Sequence, residues 1–137
     1  MKIIISTESN QKFSIALADS NRLIDFVLVE KPFRQSELVL KTIDKLLKKH
    51  KAGKRNLKEM IVVSGPGDFS AVRIGISIAN ALGYAWNLPV KGIELEKKYK
   101  TEKSKLADVL KLSEKVKAGK MAKPVYNAEP NITAAKK

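Results

Sequence analysis

Leu57-Lys58-Glu59-Met60-Ile61-Val62-Val63-Ser64-Gly65-Pro66-Gly67-Asp68-Phe69-Ser70-Ala71-Val72-Arg73-Ile74-Gly75 is the stretch from which the architecture can be read. The apolar run that ends at Val63 is the length of a strand, too short for a buried helix, and it is rich in β-branched residues. Ser64-Gly65-Pro66-Gly67 interrupts it with the two strongest chain breakers. Apolar and small residues then continue from about Phe69 to Trp86, and Asn87-Leu88-Pro89 stops them, which predicts a helix. Val90 to Leu95 follows as another strand. A strand, a tight turn, a helix and a strand make a crossover between parallel neighbours.

Upstream, Lys2–Ser6 is a short apolar run followed by a polar turn at residues 7–11. Phe13, Ile15 and Leu17 alternate with Lys12, Ser14 and Ala16, the period of a half-buried strand, and Leu23 to Val29 repeats the pattern after Asp19-Ser20-Asn21. A helix opens at Ser36-Glu37, carries Val39, Ile43, Leu46 and Leu47 at helical spacing, and closes at Ala52-Gly53. The order β-β-β-α-β-α-β predicts an α/β fold, a mixed sheet of five strands in one domain over residues 1–95. Residues 96–137 read as a lysine-rich link (97–105), a helix bearing Leu106, Val109, Leu110, Leu112 and Val116 up to Gly119, and an extended tail from Pro124 to Thr133. Too little apolar material remains there for a second core.

The chain has 137 residues, no cysteine and a single histidine, His50, which excludes disulfide frameworks, thiol catalysis, zinc fingers and histidine triads. Its longest apolar run, after Arg73, is broken by Ser77 and Asn80, so no membrane span is expected. The apolar start is too short for a signal peptide, and a cytoplasmic protein is expected. Net charge is +13. Two blocks carry it: residues 41–58 and residues 97–123 each hold a net of about +7 by counting, and the remainder sums to about −1. Such blocks either attract a polyanion or simply keep a small protein soluble. Apart from Tyr99 no aromatic interleaves them, and lysine outnumbers arginine, so solvated surface is the preferred reading.

Gly65-Pro66-Gly67-Asp68-Phe69-Ser70 sits where phosphate loops sit, but the Gly-Lys-Ser/Thr of a nucleotide-binding loop is missing. Ser70 stands where the dinucleotide fingerprint needs its third glycine, and no acid follows about twenty residues on. A tight turn bringing the backbone close to a neighbour is the better account. In the second helix Gly75, Ala79 and Gly83 fall four apart beside Ser77 and Asn80, a small-residue stripe that lets another helix approach. The opposite face, with Val72, Ile74, Ile78, Leu82, Ala85 and in part Ile76, is apolar enough to cover the sheet. No pair of acids suggests a metal site, Glu94 and Glu96 read as a solvated edge, and His50 as an exposed helix end.

The segment from Val62 to Gly75 resembles the G-P-G-S-F-T-G-[LV]-R-I-G signature of the TsaB (YeaZ-like) family, departing at Asp68, Ser70 and Ala71. Leu88-Pro89-Val90-Lys91-Gly92-Ile93 is similar to a strand of that family, and the tail from Lys123 to Thr133 resembles its P-x-Y-x-R-x-P ending, without the arginine. The resemblance implies an actin-like ATPase or RNase H-like domain, here in a shortened form that lacks most of a second domain. Ser6 stands where actin-like ATPases keep an aspartate, and Gln35 where relatives have a histidine.

That likeness implies a non-catalytic scaffold subunit, with no cofactor and no metal, of the bacterial tRNA threonylcarbamoyladenosine machinery. The implied partner is a TsaD-type catalytic subunit, reached through a helix bundle, with a TsaE-type ATPase as a further partner. The expected contacts are Leu40, Ile43 and Leu47 from the first helix and Arg73, Ile76, Ala79, Asn80 and Gly83 from the second, beside the signature loop Gly65, Pro66, Gly67 and Phe69. A homodimer through the same helices stays open, as does an RNA-binding module using the lysine blocks. A residual ATPase or nuclease is disfavoured by Ser6.

Overall fold

The computed structural model describes residues 1–117 and residue 122. β1 (Lys2–Ser6), β2 (Phe13–Asp19) and β3 (Arg22–Val29) form the antiparallel meander that the alternation implied. α1 (Gln35–Lys49) leads to β4 (Glu59–Gly65), and α2 (Phe69–Ala85) leads to β5 (Val90–Glu94). The strands lie in the order β3-β2-β1-β4-β5, with β1, β4 and β5 parallel to one another. The mixed five-stranded α/β architecture is therefore as read from the sequence.

Successive residues of a strand point to opposite faces, so a sheet covered on both sides needs apolar residues at consecutive positions. The three central strands have them. Ile3 and Ile5 of β1 and Met60 and Val62 of β4 pack with Val39, Ile43, Val72, Ile76 and Ala79 of the first two helices. Ile4, Ile61 and Val63 point the other way, into a second cluster. There α3 (Glu102–Ser113) lays Leu106, Val109 and Leu110 against Ile93 and Leu95. The core thus extends beyond residue 95.

α3 also begins inside the stretch expected to be a link. The Thr101 hydroxyl accepts a hydrogen bond from the Ser104 amide at 3.1 Å, an N-cap that starts the helix four residues before Leu106. The helix ends at Ser113, whereas Gly119 and the tail from Pro124 to Thr133 lie outside the described residues. Among the described residues no helix is long and apolar enough to cross a membrane.

Candidate partner interface

α2 is apolar or small on nearly every side, so its sequence alone leaves open which face turns inward. The structure turns the small-residue stripe towards the sheet. A Cβ on Gly75 would lie 2.1 Å from the Thr7 hydroxyl oxygen, and one on Gly83 would lie 2.4 Å from a Val90 methyl. Ala79 is fully buried and Ile76 is 5% exposed. The stripe therefore brings α2 close to its own β1 and β5, and Ile76, Ala79 and Gly83 have no surface to offer a foreign helix. Small residues on α2 are complemented by branched residues, Thr7 just after β1 and Val90 at the start of β5, and that pairing across the chain is the signal for its orientation.

Asn80 is also committed internally. Its amide nitrogen donates to the Ala122 carbonyl at 3.1 Å, and its amide oxygen accepts from the Ala122 backbone N–H at 2.8 Å. Of the five α2 residues named as contacts, only Arg73 is exposed. Its guanidinium lies 5.4 Å from the centroid of the Phe69 ring, within cation–π range.

Of the face that the sequence assigned to the core, Val72 and Ile76 are buried and Ile78 and Leu82 pack partly against the core, while the rest of that side of α2 reaches solvent. Phe69 is 58% exposed and Tyr84 is 91% exposed, while Ile74, Ile78 and Leu82 are half-buried. A groove of about 490 Å3 runs along this face, lined by Ser36 at the start of α1 and by Phe69, Ser70, Arg73, Ile74, Ser77 and Ile78. A second groove, of about 410 Å3, is lined by Leu40, Ile43 and Leu47 of α1 and by Trp86, with Asp44, Lys48 and Lys54 also at its wall. The three α1 residues expected at the interface thus meet in one groove, with Leu40 half exposed and Ile43 and Leu47 buried. Apolar surface gathered along two adjacent helices marks an interaction site more often than scattered single residues do.

The signature loop braces the sheet end. Gly65 has φ 128°, which a side chain would resist. A Cβ on Gly67 would lie 2.4 Å from the Glu8 carbonyl oxygen, so only glycine allows the loop to lie on the β1–β2 turn. The Asp68 amide donates to that same carbonyl at 2.8 Å, and the Asp68 carboxylate accepts from the Asn10 amide at 2.9 Å. Gln35 is buried and donates to the Ser9 carbonyl, tying the start of α1 to the same turn. The tight-turn reading of this loop holds, and its glycines serve close approach between backbones.

At the end of β1, buried Ser6 donates to Glu8 at 2.6 Å. The Lys105 ammonium lies 2.9 Å from Glu8 and 2.8 Å from Glu102, and Ser14 donates to Glu102. Burial pulls the Lys105 pKa down, but the two carboxylates more than offset it, and the net shift is upward. Both carboxylates are thus held by a fixed cation. Among the described residues no group of three or more His, Asp or Glu gathers to hold a metal ion. His50 is half-buried, with Nε2 2.8 Å from Asp25, which corrects the expectation of an exposed helix end.

Comparison with known proteins fits this geometry. The family model for TsaD, the tRNA N6-adenosine threonylcarbamoyltransferase, matches residues 34–95, which runs from the start of α1 through β5. The tRNA threonylcarbamoyladenosine biosynthesis protein TsaB of Bacillus subtilis is 25% identical over 93 residues, covering 68% of this chain and 41% of that protein. YeaZ from Pseudomonas aeruginosa superposes with a TM-score of 0.63 at 22% identity, covering 68% of this chain and 43% of its own. A second structure, described as an uncharacterized protein with similarity to peptidase YEAZ from the same organism, gives the same score over 42% of its length. The chain spans about two-fifths of the length of these relatives.

Proposed function

We propose that this TsaB/YeaZ-like chain is a non-catalytic scaffold subunit in the formation of threonylcarbamoyladenosine on tRNA, and that it binds a TsaD-type subunit through the outer faces of α1 and α2. The observation that carries the reading is the apolar surface of Phe69, Ile74, Ile78 and Leu40 along two adjacent helices. The match of a TsaD family model to residues 34–95 adds to it. That segment holds both helices, so chain and partner would present related surfaces, the arrangement that favours pairing about an approximate two-fold axis.

The absence of catalysis is supported by chemistry at the end of β1. Ser6 supplies a hydroxyl where an actin-like ATPase uses a carboxylate, and Lys105 neutralises the nearest acids, Glu8 and Glu102. Both carboxylates are already engaged by one ammonium, which competes with any metal ion for their oxygens.

The test is co-expression of the chain with a tagged TsaD-type subunit. Leu40→Glu together with Phe69→Glu places two charges on the exposed apolar residues of this surface, and loss of co-purification with an unchanged melting curve is expected. Wild-type recovery of that double variant would overturn the assignment. A chain that forms only its own dimer, measured by mass in the presence of the partner, would overturn it as well.

A further inference from the structure

We propose that the lysine-lined cleft on either side of the segment 97–101 binds the phosphodiester backbone of single-stranded RNA. Two grooves flank this segment. One, of about 610 Å3, is lined by Glu8, Lys12, Pro66, Leu95, Glu102 and Lys105. The other, of about 690 Å3, is lined by Ser104, Ala107, Asp108 and Lys111, and both share Lys97, Lys98, Tyr99, Lys100 and Thr101. The first groove lies beyond the C-terminal ends of β1, β4 and β5, where open α/β sheets bind ligands.

The charge of these walls is one-sided, and the acids among them are already used. Glu8 and Glu102 hold Lys105, and Asp108 accepts from the Tyr99 hydroxyl. Lys12, Lys97, Lys98, Lys100 and Lys111 make no salt bridge among the described residues and are exposed. A cleft lined by one sign of charge focuses the field and raises the local concentration of a polyanion. The Lys97 ammonium lies 5.7 Å from the Tyr99 ring centroid, and the Asp108 bond fixes that ring, so the segment is held as a rib rather than a free loop.

The first basic block has a different setting. Lys48 pairs with Asp44 and Lys49 with Asp25. Lys41, Lys45, Lys51, Lys54, Arg55 and Lys58 are exposed without a salt bridge among the described residues, but the groove beside them is walled mainly by Leu40, Ile43, Leu47 and Trp86. The second basic block thus lines its grooves with lysines, whereas apolar side chains dominate the groove beside the first. A flexible single strand can follow the rib from one groove to the other. The choice of RNA rests on the tRNA role proposed above, but the surface is separate from α1 and α2, so a failure of partner binding and a failure of RNA binding are read by different experiments.

The experiment is fluorescence anisotropy with a labelled twelve-nucleotide oligouridine and the full chain. Neutralising about four phosphates on a single strand gives a slope of about −3 in log affinity against log salt. The triple variant K97E/K98E/K100E is expected to weaken binding at least tenfold at low salt, with an unchanged melting curve. The variant K41E/K45E/K48E makes the same change in net charge on α1 and is expected to weaken it less than threefold. An equal loss in both variants would overturn the site, as would a slope near zero. Tighter binding of a matched RNA duplex, or equal competition by polyglutamate of the same length, would overturn the identity of the ligand.

Discussion

Gly75→Ala tests the inward orientation of α2 directly. In an exposed helix interior this change is favourable by up to about 1 kcal/mol, because alanine restricts the unfolded chain and glycine does not. Here the new methyl carbon would lie 2.1 Å from Thr7 Oγ1, 3.2 Å from its Cβ and 3.3 Å from its Cγ2. Thr7 cannot simply turn away. It is fully buried and β-branched, and its hydroxyl donates to the Ala71 carbonyl at 2.8 Å. Either α2 lifts from the sheet, an overpacking cost of about 1–3 kcal/mol, or the hydroxyl loses its partner at about 1–3 kcal/mol. Set against the helix gain, the net is a destabilisation of about 1–2 kcal/mol, from the same two ranges. Urea unfolding followed by circular dichroism measures it, and adding Thr7→Ala should recover part of the loss. A Gly75→Ala chain as stable as the parent, or a double variant with additive losses, would show that α2 does not press its glycine face on β1.

Ala79→Leu should cost about 1–3 kcal/mol of stability by overpacking, and a melting curve at the parental midpoint would contradict the fully buried position of Ala79. Asn80→Ala removes two hydrogen bonds to Ala122 and should cost about 1–2 kcal/mol in urea unfolding, with faster hydrogen exchange at the Ala122 amide; slow exchange there would mean that something else holds that residue. The hydrogen bonds from His50 and then Lys49 hold the Asp25 carboxyl at about 2, below its ordinary 3.8. A carboxyl lowered on folding stabilises the protein above its unfolded value and ceases to do so as pH falls through the folded value. Asp25→Asn should therefore lower the melting temperature at pH 6, and the gap should close between pH 4 and pH 2; a gap that persists at pH 2 would rule this out.

The fold could be read from the sequence because each signal was local. Gly65-Pro66-Gly67 separated β4 from α2, and the alternation of Phe13, Ile15 and Leu17 marked β2 without reference to anything distant. The rotation of α2 was not local. Both of its faces are apolar, and the deciding contacts, Gly75 with Thr7 just after β1 and Gly83 with Val90 of β5, join α2 to other parts of the chain. Hydropathy favoured the larger side chains for the core, whereas close packing favoured the smaller ones, which let the backbone of α2 sit nearer the sheet. α1 was easier, because its lysines leave one apolar stripe, yet Ile43 and Leu47 of that stripe are buried and only Leu40 projects. The start of α3 was missed because Thr101 lies among lysines, where a cap is easily overlooked.

The sheet has helices of different character on its two sides: α1 and α2 on one, α3 on the other. The apolar groove beside α2 and the cationic grooves beside residues 97–101 share no lining residue. Five hydrogen-bonded strands stand between α2 and α3, and such a sheet is a stiff partition. The groove along α3 lies on the far side of that partition from α2, so a ligand held there is expected to bind with nearly the same affinity whether or not α2 is occupied. The groove beside Glu8 and Pro66, by contrast, adjoins the loop that starts α2. If both proposed surfaces are occupied, a subunit built in this way would join two components by addition, and the one bound along α3 could exchange without waiting for the other to leave.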